Sequence, residues 1–275
     1  MVTQVIVNDN TKSSLRYLKD VPAFANGKTY EFKPYINIVV GPNGSGKSTL
    51  LKLISDFMLC NHSMCSKAPN DAMSVIHELR FFDSSRAIDG DMFCDGVDIK
   101  SDYAGICFRY KPISEYTEAD TNKCAENMAL FVDGKSSSVG QQSLSALKAL
   151  FHTMFEGKHD VNFPHEQMKR LFEKSNDLWQ KNFNQYVDYI KRNTVKMYPD
   201  DFQYTVLLDE PDRNLDIDNV MELYPVLSTE KEMTQIIAVI HNPILIYKLS
   251  KVAHINFIEM EEGYVDKIKK FVEGA

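Results

Sequence analysis

The chain has 275 residues, enough to bury about three quarters of the surface its unfolded form exposes without a disulfide or metal staple. Hydrophobic residues are 44% and charged residues 25%, which excludes a disordered, collagen-like or low-complexity chain. The net charge of −7 excludes a globally basic nucleic-acid coat but leaves a local basic patch open.

Five cysteines without a CxxC pair fit a reducing cytosol better than a disulfide framework. No run of 18 apolar residues offers a membrane span. The start, MVTQVIVNDNTKSS, lacks a basic segment followed by an apolar run, so no signal peptide is expected and the location is expected to be cytoplasmic.

Val5–Val7 reads as a strand. Tyr35–Val40 is a second, richer in β-branched residues and ended by glycine. Lys47–Met58 reads as a helix, with Leu50, Leu51, Leu53, Ile54 and Phe57 at three-to-four spacing. Residues 60–75 read as loop, and 76–110 as a β-rich part. Asp95-Gly96 between two short apolar runs is a hairpin signal there. The acids of this stretch do not have calcium-loop spacing. Cys60-Asn-His62-Ser-Met-Cys65 lacks the second pair of ligands that structural zinc needs.

Gln141–Phe155 and residues 164–196 read as helical. Then come strand Tyr204–Leu208, helix 217–227, strand Gln235–Ile240, a short helix at Leu245–Leu249 and strand Ala253–Ile258. Strands alternating with helices predict an α/β fold with a largely parallel core sheet. The whole chain, 1–275, reads as a single domain in which 156–200 is a helical insertion.

The strongest motif is Gly41-Pro42-Asn43-Gly44-Ser45-Gly46-Lys47-Ser48, followed by Thr49. A hydrophobic strand enters it and an amphipathic helix leaves it, the context a phosphate-binding loop requires. The glycines let the backbone curl so that amide N–H groups face phosphate oxygens. The helix N-terminus adds positive potential. Lys47 is expected on the β- and γ-phosphates and the Ser48 hydroxyl on Mg²⁺. The bland alternative is a glycine-rich turn carrying a surface lysine.

Tyr204–Leu208 runs into Asp209-Glu210-Pro211. A buried strand thus delivers carboxylates to its C-terminal edge, where α/β sheets bind ligands. Asp209 is the candidate Mg²⁺ holder, and Glu210 the group that accepts a proton from, or orients, the attacking water. The alternative is an acidic turn that caps the next helix.

These motifs together resemble the ABC-type ATPase superfamily, in its stand-alone AAA/SMC-like branch without coiled coil. Asp209-Glu-Pro-Asp-Arg-Asn-Leu-Asp216 resembles the superfamily's Walker B and D-loop. Gln235–His241 resembles its switch strand and histidine. Ser138-Val-Gly140-Gln141 resembles a degraded signature. The resemblance implies a P-loop NTPase fold with a mixed sheet, flanking helices and an antiparallel β region. It implies Mg²⁺-dependent ATP hydrolysis with ATP sandwiched in a homodimer. There Ser138 and Gly140 of one copy would cap the ATP on the loop of the other, Gln141 and Asp216 would also contact the nucleotide, and His241 would contact the γ-phosphate and couple nucleotide state to shape. A protein partner or effector is also implied, with no direct membrane insertion.

Two features depart from the pattern. No glutamine occurs between residues 50 and 140, so Arg109 or Tyr110 stands where the family's glutamine loop is expected. Gly140 and Asp209 are also 69 residues apart, far more than the family spacing. Residues 165–196 carry seven basic side chains against four acidic ones, a net of +3. With Trp179, Phe183, Tyr186 and Tyr189 interleaved, they fit nucleic-acid stacking or, more plainly, an amphipathic helix. Competing functions are a transporter's nucleotide-binding subunit and a non-hydrolysing ATP-gated binding module.

Overall fold

The computed structural model describes residues 1–12, 15, 18–58, 61–62, 96–103, 106–110, 192–196 and 204–274. Ten strands and four α-helices occur among them. In chain order they are β1 Val2–Val7, β2 Thr29–Glu31, β3 Ile36–Val40, α1 Lys47–Met58, β4 Asn61–His62, β5 Val97–Tyr103 and β6 Ile106–Tyr110. β7 Thr194–Lys196, β8 Tyr204–Asp209, α2 Ile217–Ser228, β9 Thr234–Val239, α3 Pro243–Leu249, β10 Asn256–Glu259 and α4 Tyr264–Glu273 follow.

The core is a six-stranded sheet in the order β10-β3-β9-β8-β6-β4, parallel at every pairing. A second sheet runs β2-β1-β5-β7. Its first two pairings are antiparallel and its last is parallel. The fold is therefore mixed α/β with a parallel core sheet, as the strand–helix alternation predicts.

Both faces of β3, β8 and β9 are buried among the described residues, and alternation along each strand divides them. Val39, Leu207, Ile237 and Val239 face α1 (Leu50, Leu51, Leu53, Ile54) and the small sheet (Val5, Val7, Val97, Ile99). Ile36, Ile38, Val206, Leu208, Ile236 and Ala238 face α2 and α3 (Val220, Leu223, Leu227, Leu245, Ile246). This is why β3, β8 and β9 read as near-continuous apolar runs rather than as alternating ones.

Polar side chains break those runs at the end of the sheet remote from the loops described below. Gln235 is fully buried and satisfies all its bonding groups. Its Oε1 accepts from Val2 N at 2.8 Å and from Thr205 Oγ1 at 3.2 Å. Its Nε2 donates to Val2 O at 2.7 Å and Lys33 O at 2.8 Å. Asn37 Oδ1 accepts from Lys33 N at 2.7 Å, and its Nδ2 donates to Lys33 O at 2.9 Å. These amides tie β1 and the segment before β3 to the core sheet. A buried amide is stable only when its groups are paired in this way.

Several boundaries differ from the sequence expectations. Asn61–His62 is a short strand rather than loop. Thr194–Lys196 is strand where the helical segment was expected to continue. β5 and β6, both in the β-rich stretch, belong to different sheets. β10 begins at Asn256, not Ala253, because Val252 and Ile255 close a turn first. α4 was not expected at all. It is capped by the Glu259 carboxylate, which accepts from Tyr264 N and Val265 N. The helix Gln141–Phe155, most of 156–200, the Met92–Asp95 arm of the hairpin and Cys60 and Cys65 lie outside the described residues.

Candidate functional site

Three loops leave the core sheet from one row of residues. Val39 pairs with Val239, and Val239 pairs with Asp209. The glycine-rich loop follows β3, His241 follows β9, and Asp209 ends β8. The C-terminal edge therefore gathers segments about 200 residues apart in sequence, at the position where such sheets bind ligands.

The loop 41–46 turns at glycines with left-handed backbone. Gly46 has φ 92°, and an added Cβ would lie 2.3 Å from the Phe24 ring. Phe24 is fully buried, in a 3₁₀ turn at Pro22–Phe24. A side chain at 46 therefore meets both backbone strain and a fixed ring. Gly46→Ala is expected to lower stability by about 3 kcal/mol, strain and overpacking combined. Denaturant unfolding measures it, and a loss below about 1 kcal/mol would show that the ring yields.

Lys47 begins α1 and is only 4% exposed. Its Nζ donates to Gly41 O at 3.0 Å and Pro42 O at 2.8 Å, folding the side chain over the loop. Burial lowers its pKa, and the nearby Glu210 and Asp209 carboxylates partly oppose this. Ser48 Oγ donates to Asp209 Oδ1 at 2.9 Å. The two residues chosen from sequence as metal holders, 161 positions apart, thus meet. A hydroxyl beside a carboxylate is a hard oxygen pair of the kind Mg²⁺ takes alongside phosphate oxygens. Ser45 Oγ is buried without a hydrogen-bond partner among the described residues, so the loop holds polar capacity that a ligand could satisfy.

Glu210 sits just past β8 with φ 51°, a left-handed conformation that costs a non-glycine residue about 1–3 kcal/mol. Its carboxylate faces one cation and one group that can become one. His241 Nε2 lies 3.1 Å from Oε1, and Arg213 Nη1 lies 3.5 Å from Oε2. The histidine contact lacks hydrogen-bond alignment and becomes an ion pair only with a protonated ring.

A cavity of about 800 Å³ opens here. Of the residues expected from sequence, Asn43, Gly44, Gly46, Lys47, Ser48, Thr49, Glu210 and His241 line it. Leu18, Asp212, Arg213 and Asn242 join them without having been expected. Asp216 does not line it. It caps α2, its Oδ1 accepting from Asn219 N at 2.9 Å. Ser138, Gly140 and Gln141 lie outside the described residues. Tyr110 is opposite Leu208 in the sheet, one residue short of Asp209. The backbone thus brings the end of β6, with Arg109 and Tyr110, to the same edge.

Asp212 is the residue that sequence reasoning passed over. It is 6% exposed, and burial raises its pKa against the lowering effect of the Asn242 and His241 N–H donors. Its only sequence signal was an extra acid inside the Asp209–Asp216 run. The partners that give it meaning lie about 30 residues downstream.

A family model for the AAA domain matches residues 17–193. No curated protein matches the chain. The match includes the glycine-rich loop and α1. The acid-bearing strand β8 and His241 lie beyond it. The chain belongs to the AAA domain family, a group of P-loop ATPases.

Proposed function

We propose that this chain binds ATP with Mg²⁺ and hydrolyses it as an ABC-type ATPase, two copies closing on the nucleotide to switch a larger assembly. The observation that carries the reading is the meeting of Ser48 and Asp209 beside Lys47, with Glu210 adjacent. Family membership supports the ATP-binding part.

In this reading the loop amides and Lys47 hold the β- and γ-phosphates. Ser48 and Asp209 would hold Mg²⁺, which when bound neutralises charge on the transferring phosphoryl group. Glu210 takes the proton of the attacking water, while His241 reaches the γ-phosphate side of the cavity. Little covalent chemistry is asked of the protein, since phosphoryl transfer is governed by positioning and charge. Ser138, Gly140 and Gln141 would cap the nucleotide from the second copy.

The test is molar mass by light scattering on Glu210→Gln, with and without Mg²⁺-ATP. The expected result is a rise from 31.5 kDa to about twice that, abolished by Ser138→Arg. An unchanged mass with ATP demonstrably bound would overturn the paired arrangement. Absent binding would overturn the nucleotide reading itself.

A further inference from the structure

Asp212 sits two residues after Glu210 and is nearly fully buried. Its Oδ2 accepts from His241 N at 2.8 Å and from Asn242 N at 2.5 Å. Its Oδ1 is buried without a hydrogen-bond partner among the described residues. Asn242 is held from its other side as well. Its side chain caps α3, accepting from Ile244 N at 3.0 Å and Leu245 N at 3.1 Å. The peptide that carries His241 is thus pinned between the acid-bearing loop and a helix packed in the core. A loop of contacts results: Glu210, Pro211, Asp212, across the hydrogen bond to His241 N, and from the imidazole to Glu210 through a 3.1 Å approach that is not a hydrogen bond.

A carboxylate tied to two backbone N–H groups fixes how far the two loops lie apart. A carboxylate in a water-poor setting binds N–H donors more strongly than a neutral acceptor does. If the Asp212 carboxylate is lost, its bonds to His241 N and Asn242 N go with it, no bond then ties this turn to the acid-bearing loop through position 212, and the imidazole is freer to leave Glu210. Errors of about 1 Å in such a constellation cost on the order of 100-fold in rate.

We propose that Asp212 is a positioning residue, its carboxylate binding the His241–Asn242 backbone to the acid-bearing loop and so setting where His241 meets Glu210. The kinetic part rests on the hydrolysis reading above; the positioning part does not. Asp212 acts through His241, so its removal should act on the ATP step rather than on affinity. The two residues should also fail to add.

The experiment uses the full chain with Asp212→Ala, Asp212→Asn, His241→Ala and the double alanine variant. Two readouts are taken: kcat and KM for Mg²⁺-ATP, and the His241 ring C–H resonance without nucleotide, assigned by its loss in His241→Ala. Asp212→Ala is expected to lower kcat about 10- to 100-fold with KM little changed. Asp212→Asn keeps an oxygen facing both N–H groups and should restore most of that loss. On the His241→Ala background, Asp212→Ala should lower kcat no further. The His241 resonance should move in Asp212→Ala and stay in place in Asp212→Asn. If Asp212→Ala does not fold, Asp212→Glu, one methylene longer, displaces the same tie and should shift the same resonance.

Additive losses in kcat, a change confined to KM, or an unmoved His241 resonance would overturn the proposal. A wild-type chain without ATPase activity would overturn the hydrolysis reading alone, because the resonance still decides the positioning role.

Discussion

If the chain hydrolyses ATP as proposed, Glu210→Gln is expected to lower kcat by roughly 10²- to 10⁴-fold, the range that a general base contributes, and to leave KM nearly unchanged. The side chain is 28% exposed, close to His241 and Arg213. Glutamine keeps its length and one oxygen but cannot accept the proton of water at neutral pH. The backbone at 210, already left-handed, is met no better or worse by glutamine than by glutamate. The variant therefore isolates proton acceptance from shape. The Arg213 contact is partly solvated and is worth little by itself, so its loss does not mimic the effect. Single-turnover hydrolysis with pre-bound Mg²⁺-ATP measures the chemical step. A fall smaller than about tenfold would mean that positioning and charge neutralisation carry the reaction without this base.

On the same reading, Lys47→Ala is expected to lower kcat/KM for ATP by about 10²- to 10³-fold, the effect of removing one cationic clamp on a transferring phosphoryl group. Its ammonium is buried and folded over the loop, bonded to Gly41 O and Pro42 O. A charge held there, with few waters to replace, acts on phosphate oxygens more strongly than a solvated one. The fold is expected to survive, because the two charge-assisted hydrogen bonds removed, about 1.5–3 kcal/mol each, are offset by the desolvation cost of the buried ammonium. Thermal unfolding separates the effects. Saturating Mg²⁺-ATP at about 100 times Kd stabilises the native chain by about 2.7 kcal/mol. The variant at the same concentration should show almost none of that gain. Retention of the gain would place the phosphates away from Lys47.

Local sequence carried the loop and the elements beside it. Lys47–Met58 is helical over the span its apolar spacing predicts, because amphipathic periodicity and the preceding glycines act within a few residues. β3, β8 and β9 fall within one residue of their expected limits for a similar reason: apolar runs buried on both faces need no distant information to be recognised. α4 escaped because its apolar positions 264, 265, 268 and 271 sit among charges, and its cap comes from Glu259 in the preceding strand. Asp216 caps α2 within one copy; a capping acid and a ligand-facing acid are the same residue type in the same turn, so the sequence alone leaves both roles open to it.

Which segments become strand, loop and helix around the phosphate loop is legible locally, since φ preference, β-branching and helical spacing are short-range properties. The tertiary structure decided which of those segments meet. Parallel pairing put Val39, Val239 and Asp209 in one row, brought Ser48 to Asp209 and Asp212 to His241, and buried Gln235 against Val2. Those contacts span from about 30 to more than 230 residues of chain. Their free energy comes from desolvation and from the geometry of pairs that no local window contains.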